Sequence, residues 1–270
     1  MDTRDLNSAD GNLKTKLRVG YYNSMHKLAN RFADGQTAIT TQMAEMIAVP
    51  PSKLLGVWPS GVTVERFSAA VTQRKWPIEN QPIHLIYIGR LHRERHLFPL
   101  CDAVICANKN GMMFTLSLIG QGPDVDTLKE LATQANNQIH IYPPIPHDEI
   151  PELLTKAHIG VTSLPPQNDR KFQASSPIKL FEYLASGLPI LATSNKCHTD
   201  VAGDKKYAFW AENPIESDLY QALCAIWECR YDLPALGEEA FCDSKHWSWQ
   251  ASAKKISEAL LKGTNLKALV

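Results

Sequence analysis

Three arginines and two histidines crowd into seven residues, Arg90, His92, Arg93, Arg95 and His96, directly behind the apolar run His84–Ile88 and Gly89. Guanidinium groups at the carboxyl end of a strand make a local anion site, and a glycine there lets the backbone approach a ligand. The same residues also fit a solvated turn tied to Glu94 by salt bridges. A second cluster runs from Ser175 through Pro177, Lys179 and Glu182 to Gly187. Serine, then proline at the first helical position, then a closing glycine predict a helix over 177–186 whose start faces the same edge. Lys179 falls in its first turn, where the helix dipole disfavours a cation by up to about 1 kcal/mol. A bound anion resolves that conflict: the amides of Ile178 and Lys179, the Ser176 hydroxyl and the Lys179 ammonium together form a phosphate seat. Glu182, three residues further and on the same face, suits the two hydroxyls of a ribose, and its plainer alternative is an ion pair with Lys179.

Weaker signals narrow the chemistry. The turn Leu118-Ile-Gly-Gln-Gly-Pro123 lacks the third glycine of a dinucleotide fingerprint, and Pro123 removes a backbone donor. No G-x-x-x-x-G-K-[ST] occurs, which excludes a P-loop, and no cluster of aspartates of the kind a magnesium site needs is visible. The expectation is therefore an anion site that works without metal or other cofactor.

The elements that must position these residues follow from patterning. Apolar runs at His84–Ile88, Phe114–Ile119, Ile139–Tyr142, Ile159–Leu164, Pro189–Thr193 and Tyr207–Ala211 read as strands covered on both faces. Residues 127–135 and 216–229 carry amphipathic helical stripes between them. Repeated β-α-β units with short connections predict an α/β fold, a doubly wound, Rossmann-like parallel sheet whose ligands bind at the carboxyl ends of the strands. Upstream, a helical pattern over Leu13–Ala33 precedes two short β-like runs, too little for a second independent doubly wound domain. Residues 72–82 read as a polar surface connection, and residues 247–262 as a helix closed by Gly263.

Composition removes other classes. Twenty-eight Lys plus Arg balance 28 Asp plus Glu, so no global field favours nucleic acid, and 44% hydrophobic residues can fill a core. The polar start lacks the basic-then-apolar pattern of a signal peptide, no apolar stretch approaches the length of a spanning helix, and six scattered cysteines read as reduced thiols. A cytoplasmic protein is expected, or one peripheral to the inner face of the membrane.

In order, G-R-L with a second cation at Arg95, L-I-G-Q-G-P, Ile145-Pro-His-Asp-Glu-Ile150 and S-P-I-K-L-F-E-Y-L-A-S-G-L-P-I-L-A-T resemble the C-terminal donor-binding domain of family-4 (group 1) glycosyltransferases of the GT-B fold. Trp58-Pro-Ser-Gly-Val-Thr-Val-Glu-Arg-Phe67 resembles that family's linker motif. The resemblance covers residues 37–262. It implies that Arg90 and Arg95 grip the diphosphate of a nucleotide-sugar, that the backbone from Ser176 to Lys179 holds sugar and phosphate, and that Glu182 binds ribose. It also implies that Gly120 and the loop around Pro144 and Ile145 wall the base pocket. The family's sugar-holding glutamate is Ala174 here, so that contact is missing or falls to a neighbour such as Asp169 or Gln173.

The expected organisation is a remnant of the acceptor domain plus linker over 1–80, the nucleotide-sugar domain over 81–245, and over 246–270 a helix that would pack on the N-terminal domain. Most of that N-terminal domain is lacking, which suggests a truncated reading frame, one subunit of a split transferase or a donor-binding remnant. The expected activity is retaining transfer of a hexose from a nucleoside-diphosphate sugar to a polysaccharide or glycolipid acceptor. A partner chain would supply the N-terminal domain, or the protein would self-associate. The alternatives are a non-catalytic nucleotide-sugar-binding protein and a nucleotide-sugar epimerase.

Overall fold

In the computed structural model of the protein, residues 2–3, 13–165 and 170–267 are described. Along the chain run β1 (Asp2–Thr3), α1 (Leu13–Phe32), β2 (Gln36–Ala38), α2 (Thr41–Met46), β3 (Leu54–Val57), α3 (Val64–Phe67), α4 (Ala69–Gln73), β4 (Ile83–Ile88), α5 (Leu97–Lys109), β5 (Phe114–Ile119), α6 (Val125–Gln134) and β6 (Ile139–Tyr142). There follow α7 (Ile150–Leu154), β7 (Ile159–Thr162), α8 (Arg170–Gln173), α9 (Ile178–Ala185), β8 (Ile190–Thr193), α10 (Lys196–Ala202), β9 (Ala208–Ala211), α11 (Glu216–Glu228), α12 (Leu233–Ser244) and α13 (Trp249–Lys267). They group into two compact units: Met1–Gly61 with Asp169–Pro177 and Trp247–Val270, and Val62–Asn168 with Ile178–His246.

The larger unit is built on a six-stranded parallel sheet in the order β6-β5-β4-β7-β8-β9. Every residue of β7 and β8 is buried, as strands covered by helices on both faces require. Strand order reverses at β4, and β4 pairs with β7 only through Leu85↔Ile159 and Ile86↔Gly160. Beyond that point the Ile88 amide donates instead to the Tyr183 hydroxyl of α9, 3.0 Å away, so the two strands part toward their carboxyl ends. Gly160 permits this: a Cβ there would lie 2.4 Å from the Tyr183 ring. The doubly wound α/β expectation is met, and its crevice opens at the reversal of strand order.

Two expectations are corrected here. Residues 72–82 are not simply a surface connection, because Arg74 is only 6% exposed. Its guanidinium donates to the carbonyls of Leu154, Ala157, Ser186 and Gly187, at the carboxyl ends of α7 and α9, where a cation completes orphan helix acceptors. Burial pulls its pKa down to about 10. Gly263 does not close the last helix, which runs on to Lys267. Helix α5 buries Leu97, Leu100, Cys101, Ala103, Val104 and Ala107.

The smaller unit has a parallel three-stranded sheet, β1-β2-β3. Helix α13 packs on β3, where Gly56 lets Ala259 approach; a Cβ at Gly56 would lie 2.9 Å from that of Ala259. Asn30 of α1 donates to the carbonyls of Ile47 and Ala48, and His26 is buried. The apolar stripe of α1 faces outward, with Leu13 73%, Leu17 66% and Tyr21 63% exposed.

Candidate functional site

The loops after β4 and β5 meet backbone to backbone. Gly89 and Gly120 hold φ of +153° and +152°, and a Cβ on Gly120 would lie 1.8 Å from the Gly89 carbonyl oxygen. Side chains cannot occupy that approach, so peptide groups line the start of the crevice. Next to them lies a cavity of about 660 Å³ walled by Gly89, Arg90, Gly120, Gln121, Pro144 and Ile145. Gly120, Pro144 and Ile145 thus line one cavity with Arg90.

Each arginine of the first cluster has a different fate. The Arg93 amide donates to Asp124 Oδ2 at 2.5 Å and its guanidinium to Oδ1 at 3.1 Å. Burial acts to raise the Asp124 pKa, but the bonds from Arg93 outweigh it and hold the carboxyl below the usual range. Arg93 therefore shapes the turn, and its partner is Asp124, not Glu94, which lies 3.6 Å from His92. The Arg90 carbonyl accepts from the Tyr87 hydroxyl at 3.0 Å, while its side chain is exposed and unpaired among the described residues. Arg95 is half-buried, and its charge is felt at both Tyr87 and Lys179.

Lys179 reaches back from α9 toward Gly89, with Nζ 3.9 Å from the centre of the Tyr87 ring. Burial, and then the Arg95 charge, push its pKa down to about 7; Glu182 pulls the other way. No ion pair joins Lys179 to Glu182 among the described residues, so the bland alternative for Glu182 is not what forms. Instead Glu182, 5% exposed, accepts from His147 Nε2 at 2.7 Å through Oε1. Below them His198 is fully buried, and burial, with Lys179 adding, brings its pKa down to about 4. Its Nδ1–H donates to the Thr193 carbonyl, and Nε2 accepts from the Thr162 hydroxyl, each at 2.9 Å. This neutral imidazole ties the ends of β7 and β8 together without adding positive charge.

The remaining expected residues are placed as follows. Ile178 opens α9, so its amide is in the first turn and has no intrahelical acceptor. Ser176 belongs to the smaller unit, where its hydroxyl accepts from the Ser60 amide at 2.9 Å. Gln173 ends α8 in that unit, half-buried. Ala174 is fully buried against Ala38, Ile39 and Met43, and its carbonyl accepts from the Thr40 hydroxyl. Asp169 lies outside the described residues. Among the described residues no three His, Cys, Asp or Glu side chains gather as a metal site, and no helix is long and apolar enough to cross a membrane.

The model of the glycosyl transferases group 1 family matches residues 69–241, more than half of the chain. The chain belongs to the group 1 glycosyl transferases. The matched span of this transferase encloses the whole six-stranded sheet, the Arg90–His96 turn, the cavity, Lys179 and Glu182. Among solved structures, Anabaena HepE in complex with UDP and glucose superposes with a TM-score of 0.70 at 18% identity, over 96% of this chain and 70% of that one. Sucrose-phosphate synthase from Thermosynechococcus elongatus gives 0.70 at 16% identity, over 99% and 67%. The catalytic domain of cholesterol-alpha-glucosyltransferase from Helicobacter pylori gives 0.52 at 19% identity, over 62% and 100%. These likenesses are of fold, and the fold is the Rossmann-like C-terminal domain of GT-B transferases. Comparison with curated protein sequences gives no match.

Proposed function

We propose that this transferase binds a nucleoside-diphosphate sugar in the crevice of its larger unit and passes the sugar, with retention, to a polysaccharide or glycolipid acceptor. The observation that carries the reading is geometric: Arg90 and Gly89 line the cavity, and the Lys179 ammonium reaches to Gly89, where burial and then the Arg95 charge lower its pKa. A buried ammonium with a second cation acting on it makes a site that favours an anion. A departing diphosphate brings that charge, and Arg90, Arg95, Lys179 and the first amides of α9 stabilise it without a metal ion. The base lies between Gly120, Pro144 and Ile145, and Glu182 takes the ribose. Asp169 or Gln173 supplies the contact to the donor sugar that Ala174 lacks, and the Ser176 region serves the sugar and phosphate. The outward apolar face of α1 supports a partner chain or a second copy, and residues 1–80 and 246–270 then belong to the acceptor side. The protein works in the cytoplasm or at the inner face of the membrane.

A second reading, a nucleotide-sugar-binding protein without turnover, is favoured by one observation: Ala174 is sealed in an apolar cluster and offers nothing to a sugar. Incubation with radiolabelled UDP- and GDP-hexoses and a cell-envelope extract separates the two. Label entering polymer or lipid, with the donor's anomeric configuration kept, supports transfer; tight donor binding with no transfer supports the second reading.

A further inference from the structure

The ribose contact assigned to Glu182 leaves a physical problem. A carboxylate on a flexible side chain, one helical turn from Lys179, is drawn toward that cation and away from any neutral diol. The structure holds it otherwise. His147 Nε2 lies 2.7 Å from Oε1, and because an ionised carboxylate only accepts, Nε2 carries the proton. Glu182 is 5% exposed, yet no donor among the described residues engages Oε2. A buried carboxylate with one oxygen fixed and the other open is arranged for a ligand's hydroxyls.

His147 is itself held from outside the site. It lies in the turn His147–Glu149, which follows the cavity-lining Pro144 and Ile145. The buried ring of Phe67 meets its imidazole edge to face, with centroids 6.3 Å apart, and Arg66 pairs with the neighbouring Asp148. Both clamps come from α3, whose residues also pack on α9. The turn that closes the base wall and the acid that reads the sugar are thus joined by one hydrogen bond.

We infer that His147 is a positioning residue for ribose recognition: it fixes the Glu182 carboxylate against the pull of Lys179, so that Oε2 is presented to the vicinal hydroxyls of the nucleotide. This inference rests on the reading of Glu182 as the ribose contact. Its signature is discrimination between ribonucleotide and deoxyribonucleotide, a ratio that a purely structural role in the turn would not move.

Calorimetry with UDP and GDP and their 2′-deoxy counterparts, on wild type, His147→Ala, His147→Gln and Glu182→Gln, tests it. Wild type should prefer the ribonucleotide by about tenfold, the worth of one charge-assisted hydrogen bond. His147→Ala should shrink that preference to within about twofold of the Glu182→Gln value, mainly by weakening ribonucleotide binding. His147→Gln keeps a donor and should retain most of the preference. Full preference in His147→Ala alongside its loss in Glu182→Gln would overturn the role of His147 while leaving Glu182 as the ribose contact. Full preference in Glu182→Gln would remove the ribose reading, and the inference with it.

Discussion

At the scale of single residues, Lys179 gives the sharpest expectation. Its pKa of about 7 in the folded protein, against an ordinary 10.5, means that it is largely neutral at pH 8. A diphosphate in the site favours the ammonium, so binding at pH 8 should take up protons, whereas a terminal phosphate with a pKa near about 6 contributes little there. Calorimetry in two buffers of different ionisation enthalpy should show an uptake approaching one proton, absent in Lys179→Met. Affinity should fall as pH rises above 7, by up to about tenfold per unit, until the raised pKa of the complex is reached. Stability moves in the opposite sense. Between pH 7 and 10.5 the unfolded chain holds the Lys179 proton and the folded chain does not, so this residue makes stability rise with pH across that window. Equal proton uptake in wild type and Lys179→Met would remove Lys179 from the anion site.

At the scale of elements, the glycine contact and the buried arginine make separate predictions. Gly120→Ala forces a Cβ into the Gly89 carbonyl at a backbone angle that L residues rarely adopt. It should cost about 1–3 kcal/mol of stability and weaken nucleotide binding, read from urea midpoints and calorimetry. Arg74→Met strips four helix-end carbonyls of their donor and should cost about 3 kcal/mol or more, with Arg74→Lys in between because an ammonium cannot span the same fork. A midpoint unchanged in Arg74→Met would show that water replaces the guanidinium.

These elements also show what a sequence can and cannot disclose. Strands buried on both faces must be apolar throughout, so β4 to β9 could be read directly, and with them the edge on which Arg90 and Lys179 meet. Arg74 could not, because its four acceptors come from residues 80 to 113 positions away and a lone arginine in a polar stretch looks solvated. His147 stands inside the Ile145–Ile150 motif, but its link to Glu182 spans 35 residues and exists only once folding brings the turn after β6 to α9. The Arg93–Asp124 pair was hidden likewise: Glu94 was the nearer acid in sequence, but Asp124 faces the turn across the β4–β5 loops.

At the scale of the whole molecule, α1 turns its polar residues His26 and Asn30 inward and Leu13, Leu17, Tyr21, Leu28 and Phe32 outward. Such a stripe on a water-facing helix marks a contact surface or an aggregation hazard. Light scattering over a range of concentrations should show self-association of this chain, and Leu17→Glu with Tyr21→Glu should suppress it without changing nucleotide affinity. A monomer at all concentrations would contradict this account of α1.

The central claim is that the crevice at the carboxyl edge of the sheet binds a nucleoside diphosphate by charge. Calorimetry with UDP and GDP, without added metal, on wild type, Arg90→Ala and Arg95→Ala tests it most directly. The account predicts binding of at least one of the two, weakened about ten- to hundredfold in each variant, as befits the loss of a charge-assisted contact. Absence of binding to either nucleotide, or affinity unchanged in both variants, would contradict it.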